Sequence, residues 1–167
     1  MITLCKQFTS IIFKKFLCFF MFLQVTCLEQ RKFNYPPKDI SIHFHVPVDY
    51  GVEIEVTGDA DVDVQNLEGH LYEVITEQGS CHLKNLKGSR LNVETNGGNI
   101  TCDSQLLFEF GILDTKKQGS ISVKKLQGKK FCVDTEDGDI DVKATYLLRA
   151  ELTSKGGDVR LGDVHGK

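Results

Sequence analysis

The sequence predicts an all-β protein folded as a parallel β-solenoid with turns of about 20 residues. Three observations predict this fold: a phased repeat after residue 51, alternation of apolar and polar residues inside each repeat, and no helical periodicity of useful length after residue 39. Each repeat reads glycine, polar, apolar, polar, apolar, and the glycines are spaced by 21, 19, 21, 19 and 19 residues. The six copies begin at Gly58, Gly79, Gly98, Gly119, Gly138 and Gly157.

The composition fits one globular domain. The chain has 167 residues, of which 41% are hydrophobic and only three are proline, and this excludes collagen-like, mucin-like and wholly disordered chains. The net charge of −3 is uneven: residues 1–38 hold six basic residues and one acidic residue, whereas residues 39–167 hold fourteen basic and 22 acidic residues. The acidic body argues against nucleic acid as a partner, because phosphate binding needs a basic surface.

Residues 1–30 differ from the rest of the chain and are predicted to be a hydrophobic leader. Lys14 and Lys15 precede an apolar run over 16–25, which is typical of a secretory signal cut after Cys27. The run is shorter than the roughly 20 apolar residues of a membrane-spanning helix. A mitochondrial presequence and an alternative first exon without a targeting role are the other readings. The predicted location is therefore the secretory pathway for a signal peptide, and otherwise the mitochondrion or the cytoplasm.

Residues 31–39 are predicted to be a linker, and residues 40–167 are predicted to form the solenoid domain. The domain opens with two alternating segments, 40–46 and 52–56, which are separated by Pro47 and a glycine. These segments are predicted to be the strands that lead into the repeats.

Alternation within each repeat places one set of side chains inside and the other set in water. One predicted interior column consists of Ala60, Cys81, Ile100, Ile121, Ile140 and Val159, and the next consists of Val62, Leu83, Cys102, Val123, Val142 and Leu161. A second signature, such as Leu86-Lys-Gly88, follows four of the copies and leads into a second alternating run. Each turn is therefore predicted to contain two strands and two corners, with glycines that supply a positive φ at the corners.

An antiparallel β-sandwich is the alternative fold, since strands at intervals of about 8–12 residues also fit that class. The constant phase of the six copies favours the solenoid. The sequence ends at Val164-His-Gly166-Lys167, inside the repeat pattern and before a second strand. We therefore expect a truncated C-terminal end, in a shortened form or a fragment, or an edge that pairs with a partner or a second copy.

Three segments between the repeats carry a family signature: Thr95-Asn-Gly-Gly98-Asn-Ile, Thr135-Glu-Asp-Gly138-Asp-Ile and Ser154-Lys-Gly-Gly157-Asp-Val. They resemble an adhesin domain-of-unknown-function family that is widespread in bacteria and has one animal branch, the vertebrate "family with sequence similarity" proteins. The resemblance covers about residues 40–167. It implies a β-solenoid with an adhesin-like role and no defining catalytic residues, and it implies that this chain is a shortened isoform or a fragment.

Six cysteines raise the question of disulfides or metal binding. Three lie in the leader, and the other three, which form no Cys-x-x-Cys pair, are Cys81, Cys102 and Cys132. Cys81 and Cys102 fall on inward positions, where a thiol behaves as a small apolar group. Cys132 falls on an outward position and is predicted to be a free thiol that could be reactive. This cysteine usage favours a reducing compartment.

Two groups of residues are candidates for binding a metal. His43 and His45 alternate on one strand face and could hold zinc, although no companion ligand lies at a suitable spacing. Aspartates in two ladders offer oxygen ligands for calcium, but the nonapeptide of calcium-loaded β-rolls is absent. These aspartates are Asp59, Asp61 and Asp63 in the first ladder and Asp137, Asp139, Asp141 and Asp158 in the second. We expect solvated side chains in both groups, so no metal or cofactor is predicted.

The sequence lacks a Gly-x-Ser-x-Gly elbow, a His-Glu-x-x-His motif and a phosphate-binding loop. It therefore predicts a non-enzymatic scaffold whose flat flanks bind a protein or a glycan. The alternative is a polysaccharide-active enzyme of the β-helix type, in which Asp139 and Asp158 supply the carboxylates. The lysine pairs at 116–117, 124–125 and 129–130 are predicted to form a basic strip around one turn, which could contact acidic lipid or an acidic partner.

Overall fold

The computed structural model describes residues 2–5, 8–14, 22–25, 42–44 and 51–166. These residues form eleven β-strands and no helix, so no helical segment among them could cross a membrane. The first four strands are β1 (Ile2–Cys5), β2 (Phe8–Lys14), β3 (Phe22–Val25) and β4 (Ile42–Phe44). The remaining strands are β5 (Val52–Gly58), β6 (Asp61–Thr76), β7 (Cys81–Thr95), β8 (Ile100–Thr115), β9 (Ile121–Thr135), β10 (Ile140–Ser154) and β11 (Val159–His165).

Strands β5 to β11 are parallel and follow one another in sequence order, as a solenoid requires. Each of β6 to β10 has 15 or 16 residues and pairs with its neighbours along most of its length. Ile140, for example, pairs with Ile121 on one side and with Val159 on the other, 19 residues away in each direction. The predicted parallel β-solenoid is therefore confirmed, and the sandwich alternative is wrong.

Each turn contains one long bent strand rather than two separate strands. In β7 the inward positions are Cys81 and Leu83, then Leu86 and Gly88, then Leu91, Val93 and Thr95, so the inward phase shifts twice within the strand. We call these three stretches the first, second and third runs of a turn. The first shift lies at Asn85, which has a φ of 52°, and its counterpart Asn66 has a φ of 53°. The strand stays continuous because its pairing with neighbouring turns resumes directly after each shift.

The register of the first repeat differs from the sequence-based alignment by two residues. Val62 pairs with Cys81, so the first interior column begins at Val62 and the second begins at Val64, which pairs with Leu83. Ala60 is the residue that stacks against the glycine at 79, and the true spacing of this step is therefore 19 residues. The apparent spacing of 21 arose because Gly58 also precedes an alternating segment, although it ends β5.

The later spacing of 21 residues has a different origin, because the third turn contains two extra residues. One is accommodated at a register shift between Cys102 and Gln105. The other lengthens the turn from Thr115 to Gly119, where Lys117 takes a φ of 72°. Both extra residues lie at bends, so the interior columns remain aligned.

The glycines that open the repeats are needed for close stacking, not for a positive φ as the sequence suggested. A Cβ atom on Gly98 would lie 2.1 Å from the carbonyl oxygen of Gly79, and one on Gly138 would lie 2.0 Å from that of Gly119. Neither glycine has a positive φ. Only glycine lets successive turns approach this closely at the corner, and this requirement explains why it recurs.

The core is the continuous interior between the three runs, and it is filled by stacked side chains from every turn. Its largest buried side chains include Tyr72, Phe108 and Phe131. The ring of Phe108 occupies the space beside Gly88, and the ring of Phe131 occupies the space at Gly111. Large aromatic residues thus alternate with glycine in adjacent turns, which keeps the packing dense.

A ladder of buried threonines ends the third runs. The hydroxyls of Thr76, Thr95 and Thr115 donate hydrogen bonds to the carbonyl oxygens of Gly79, Gly98 and Gly119 at 2.6–2.7 Å. Thr135 follows in the same column and donates to the carbonyl of Gly119. Each threonine thereby fixes the bend between one turn and the next, and no buried side-chain polar atom of the described residues lacks a partner.

The amino-terminal strands extend the sheet in antiparallel fashion. Strand β2 pairs with β5 and with β3, whereas β1 pairs with the first run of β6 and with β4. Parts of the predicted leader thus lie in β1, β2 and β3, and its removal during targeting stays a prediction. At the other end of the described chain, β11 pairs with β10, and Val159, Leu161 and Val164 are exposed.

Candidate interaction face

Two of the aspartates that the sequence singled out, Asp61 and Asp139, support the backbone. Asp139 Oδ1 accepts a hydrogen bond of 2.9 Å from the backbone N–H of Asp158, and Asp61 Oδ1 accepts one of 2.9 Å from that of Ser80. The same bond recurs at every step between these positions, with Ser80, Asn99 and Ser120 as the acceptors. Asp158 itself lies beside Arg160, at 3.1 Å. This side chain-to-backbone ladder ties each turn to the next at the corner.

Asp137 lies apart from that ladder, in a shallow open groove at the corner between the third and first runs. The groove has a volume of about 570 Å³ and is lined by Gln78, Asn96, Gly97, Lys117, Gln118, Glu136 and Asp137. Glu136 is paired with Lys155 at 2.9 Å, and this contact holds the pKa of Glu136 below its usual value. The groove therefore brings Asp137 together with neither Asp139 nor Asp158.

The metal candidates are not brought into a cluster by the part of the chain that the structure describes. No group of three or more histidine, cysteine or acidic side chains there is arranged to hold an ion. His43 lies in β4, where only the backbone is described, and His45 lies outside the described residues. The expectation that both histidines are solvated therefore stays a prediction.

The three cysteines of the repeats divide as the sequence predicted. Cys81 and Cys102 are buried, and burial raises the pKa of both thiols, that of Cys102 to about 11. Cys132 is partly exposed, and its sulfur lies 4.0 Å from a carboxylate oxygen of Glu151. All three thiols are free, and the reactivity of Cys132 stays a prediction.

The predicted basic strip surrounds one turn but does not form a single patch. The lysines lie at three different bends: 116–117 in the loop before β9, 124–125 at its first phase shift and 129–130 near its second. Several are engaged locally. Lys116 pairs with Glu94, Lys129 lies 3.1 Å from Glu109, and Lys125 Nζ lies 4.7 Å from the ring centre of Tyr146.

A surface that sequence analysis missed is formed by the outward side chains of the third runs, which we call the outer face. Strand pairing arranges these side chains in three parallel columns. The basic column contains Leu71, Arg90, Phe110, Lys130 and Arg149. The middle column contains Glu73, Asn92, Ile112, Cys132 and Glu151. The acidic column contains Ile75, Glu94, Asp114, Asp134 and Thr153.

Two large apolar side chains lie at the centre of the outer face. Phe110 is 45% exposed and Ile112 is 48% exposed, and both project from β8, the middle strand of the five. They lie two residues apart on one strand, or about 7 Å. Arg90 and Lys130 flank Phe110 on the neighbouring strands. The face thus has an apolar centre with positive charge along one side and negative charge along the other.

Like charges are stacked in the acidic column, where Asp114 lies between Glu94 and Asp134 on the adjacent strands. Partial burial raises the pKa of Asp114. Lys116 opposes this rise, and the neighbouring carboxylates of Glu94, Asp134 and Glu136 add to it. The column therefore carries negative charge that is only partly compensated within the chain.

The signal for this face is present in the sequence but is easily overlooked. Arg90, Phe110, Lys130 and Arg149 follow one another at intervals of 20, 20 and 19 residues, in phase with the repeat. They occupy polar positions of the alternating pattern, where side chains are ordinarily read as a solvated surface. Stacking the outward positions as well as the inward ones would have revealed the columns.

No solved structure matches the chain significantly. The model of the Toastrack DUF4097 family, by contrast, matches residues 14–162. This match includes all six phased segments, ends at residue 162 within β11, and begins inside the segment that the sequence set apart as a leader. Together with the stacked, phased turns, it shows that the chain belongs to the Toastrack DUF4097 family, a family defined by a β-solenoid domain of unknown function.

Proposed function

We propose that this protein is a non-enzymatic, adhesin-like interaction scaffold that binds another protein surface through its outer face. The observation that carries the proposal is the pair of exposed side chains Phe110 and Ile112 at the centre of the charged outer face. An exposed aromatic residue among arginines, with polar residues around it, is the composition found at the centre of protein–protein interfaces.

A protein is favoured over a glycan as the partner because of the charge pattern. Positive and negative columns on either side of an apolar centre match a surface that has ordered charges of both signs. A neutral sugar would leave Arg90, Lys130 and Asp134 without charged partners. Among the described residues of the three columns, Phe110 is also the one aromatic side chain, so these columns do not form a platform of several stacking rings.

The polysaccharide-active enzyme finds less support. The carboxylate of Asp139 already accepts the backbone N–H of Asp158, and a carboxylate used in this way is a poor choice for an acid or a base. Hydrolysis of any substrate in a broad polysaccharide panel by the purified chain, with loss of the activity in Asp139→Asn, would revive that alternative.

Site-specific photo-crosslinking tests the proposal. A benzophenone side chain is introduced in place of Phe110, and in a matched control in place of Lys87, an exposed residue of the second run of β7. In cells that make the protein, the probe at 110 is expected to give a discrete protein adduct, whereas the probe at 87 gives none. Equal labelling from both positions, or none from either, would count against the outer face as a binding surface.

A further inference from the structure

Resting on the function proposed above, we propose that the outer face binds a second copy of this chain, face to face, about a two-fold axis parallel to the solenoid axis. The argument depends on how the three columns meet when the face is placed against itself. The partner is therefore identified by charge complementarity and not merely by the exposed apolar residues.

A two-fold axis that runs along the middle column exchanges the two outer columns. The basic column of one copy then lies opposite the acidic column of the other, while each strand lies opposite its own counterpart. Lys130 and Asp134, which are both on β9, face each other across the interface, and so do Arg90 and Glu94, which are both on β7. The middle column meets itself on the axis, so Ile112 lies against Ile112 of the second copy, and Glu73 and Glu151 near the two ends of the column also lie against their own counterparts. Four contacts between opposite charges, two for each pair named above, thus stand against two contacts between like charges.

The other simple arrangement is disfavoured by the same charges. A two-fold axis parallel to the strands would place the basic column against the basic column and the acidic column against the acidic column. Like charges held together in an interface oppose association. The charge pattern therefore selects one orientation, in which the strands of the two copies run antiparallel.

Three charged side chains of the face are available for such contacts. Among the described residues, Arg90, Lys130 and Asp134 have no ion-pair partner within 4.0 Å. Phe110 lies opposite Asp114, and the edge of an aromatic ring is the positive part of its quadrupole. Pairing across the axis would thus satisfy charges that are unpaired within one chain.

The dimensions of the face set the expected strength of association. Five strands about 4.8 Å apart, each contributing about five residues, give a patch of roughly 400 Å² on each copy. The total buried area is then below that of a standard stable interface, so the dimer is expected to be weak and dependent on both concentration and salt.

Charge reversal tests the pairing directly. Sedimentation velocity is measured on the full chain, over a concentration series and at low and high salt, for wild type, Lys130→Glu, Asp134→Lys and the double variant. Each single reversal is expected to weaken dimerisation by ~10-fold, because like charges then face each other. The double variant exchanges the two charges and is expected to restore the dimer. Circular dichroism and urea unfolding verify that each variant is folded.

A matched pair on another face provides the control. Lys87 and Glu68 are exposed partners at 2.6 Å on the second runs. Lys87→Glu, Glu68→Lys and their double variant are expected to leave dimerisation unchanged. A comparable loss in these variants would show that overall charge, not contact across the axis, governs association, and would overturn the inference.

The remaining outcomes separate this inference from the proposed function. A double variant as weak as the single variants overturns the two-fold geometry. A dimer that ignores all these charges places the contact elsewhere, for example at the β11 edge, and also overturns it. If wild type is strictly monomeric but the probe at Phe110 still captures another protein, self-association is refuted and the scaffold function stands. If wild type is monomeric and the probe captures no protein, both self-association and the scaffold function are refuted.

Discussion

At the scale of single residues, a column of buried threonines fixes the bends between turns, although the repeat pattern of the sequence does not single these threonines out. Thr76, Thr95, Thr115 and Thr135 lie among apolar side chains, yet each hydroxyl donates to a glycine carbonyl at the corner. A buried carbonyl without a donor costs more than the hydrogen bond contributes when it is formed. The threonine column therefore constrains where each turn bends.

Replacing one of these hydroxyls with a methyl group should destabilise the fold, although the shape of the side chain is kept. Thr95→Val keeps the β-branched side chain but leaves the carbonyl of Gly98 without its donor. We expect the free energy of unfolding, measured by urea denaturation, to fall by about 1–3 kcal/mol. Thr153→Val, at an exposed position of β10, is the control and should change little. Equal effects of the two substitutions would contradict the role of the hydroxyl.

Asp114 should make stability depend on pH in the opposite direction to a salt-bridged carboxylate. Its pKa is raised in the folded state, mainly by partial burial, so its ionised form opposes folding at neutral pH. As pH falls through the folded pKa towards the ordinary value, protonation removes this penalty. In dilute solution, Asp114→Asn should therefore raise the urea midpoint at pH 7, and this gain should shrink as pH falls through that range.

The control for this prediction is Asp59→Asn, which removes an exposed carboxylate in the loop between β5 and β6. At each pH in this range, the urea midpoint of Asp59→Asn should stay close to that of wild type. A loss of stability in Asp114→Asn at pH 7 would show that Lys116 compensates the charge more than burial penalises it.

At the scale of elements, adjacent strands are matched by size. Gly111 of β8 pairs with Phe131 of β9, and a Cβ atom at 111 would lie 2.0 Å from the Phe131 ring. Phe108 has the same relation to Gly88 of β7. Each glycine and the aromatic ring beside it therefore form one packing unit across two neighbouring strands. The cost of changing the glycine should depend on the size of the side chain opposite.

A double-mutant cycle measures that dependence. Gly111→Ala alone should reduce the free energy of unfolding by about 1–3 kcal/mol, because the new methyl group meets the ring. In a Phe131→Leu background the same substitution should cost less, with a coupling energy of at least about 0.5 kcal/mol. Gly166→Ala is the control, since a Cβ there would meet only the Leu147 carbonyl oxygen at 3.5 Å. Strict additivity of the two substitutions would refute the packing unit.

At the scale of the whole molecule, and among the described residues, each turn from β7 to β10 contacts the turns before and after it, whereas β5 and β6 also contact the amino-terminal strands β2 and β1. Stability in such a stack is the sum of local turns and the interfaces between them, so it varies along the axis. Strands β7 to β9 are paired on both sides, and their inward side chains are almost fully buried. Among the described residues, β11 is paired on one side only, and its side chains are exposed.

Hydrogen exchange should reveal this gradient. In native-state exchange followed by mass spectrometry, peptides from β8 should exchange at least ~10-fold more slowly than peptides from β11. The reason is that opening β8 disrupts two interfaces, whereas opening β11 disrupts one. Exchange at one uniform rate along the stack would mean that the solenoid opens only as a single cooperative unit, contrary to this expectation.

Much of the fold was predictable because the repeat shows in the sequence. The phased glycines and alternating apolar residues gave the fold class, the direction of stacking and most members of the interior columns, including Cys81 and Cys102. The register of the first repeat was wrong because Gly58 and Ala60 both precede alternating residues. Only the pairing of Val62 with Cys81 decides between them.

The candidate site was less predictable for a physical reason. Periodic burial keeps inward residues apolar in every turn, whereas outward residues vary in type, so the phased positions of Phe110 and Ile112 do not by themselves mark an apolar centre. Asp139 and Asp158 were candidates for catalytic carboxylates because aspartate is common in active sites. Their place in a ladder of backbone hydrogen bonds depends on the distance between consecutive turns.

The sequence by itself determined that the chain forms a parallel β-solenoid, since the alternation within each repeat and the regular spacing of the glycines are visible without knowledge of the structure. The tertiary structure alone decided which residues 19 or 20 positions apart become neighbours on the surface. A single residue of register shift moves a side chain from the inside to the outside, so the outer face with its opposed charges exists only after the turns are stacked.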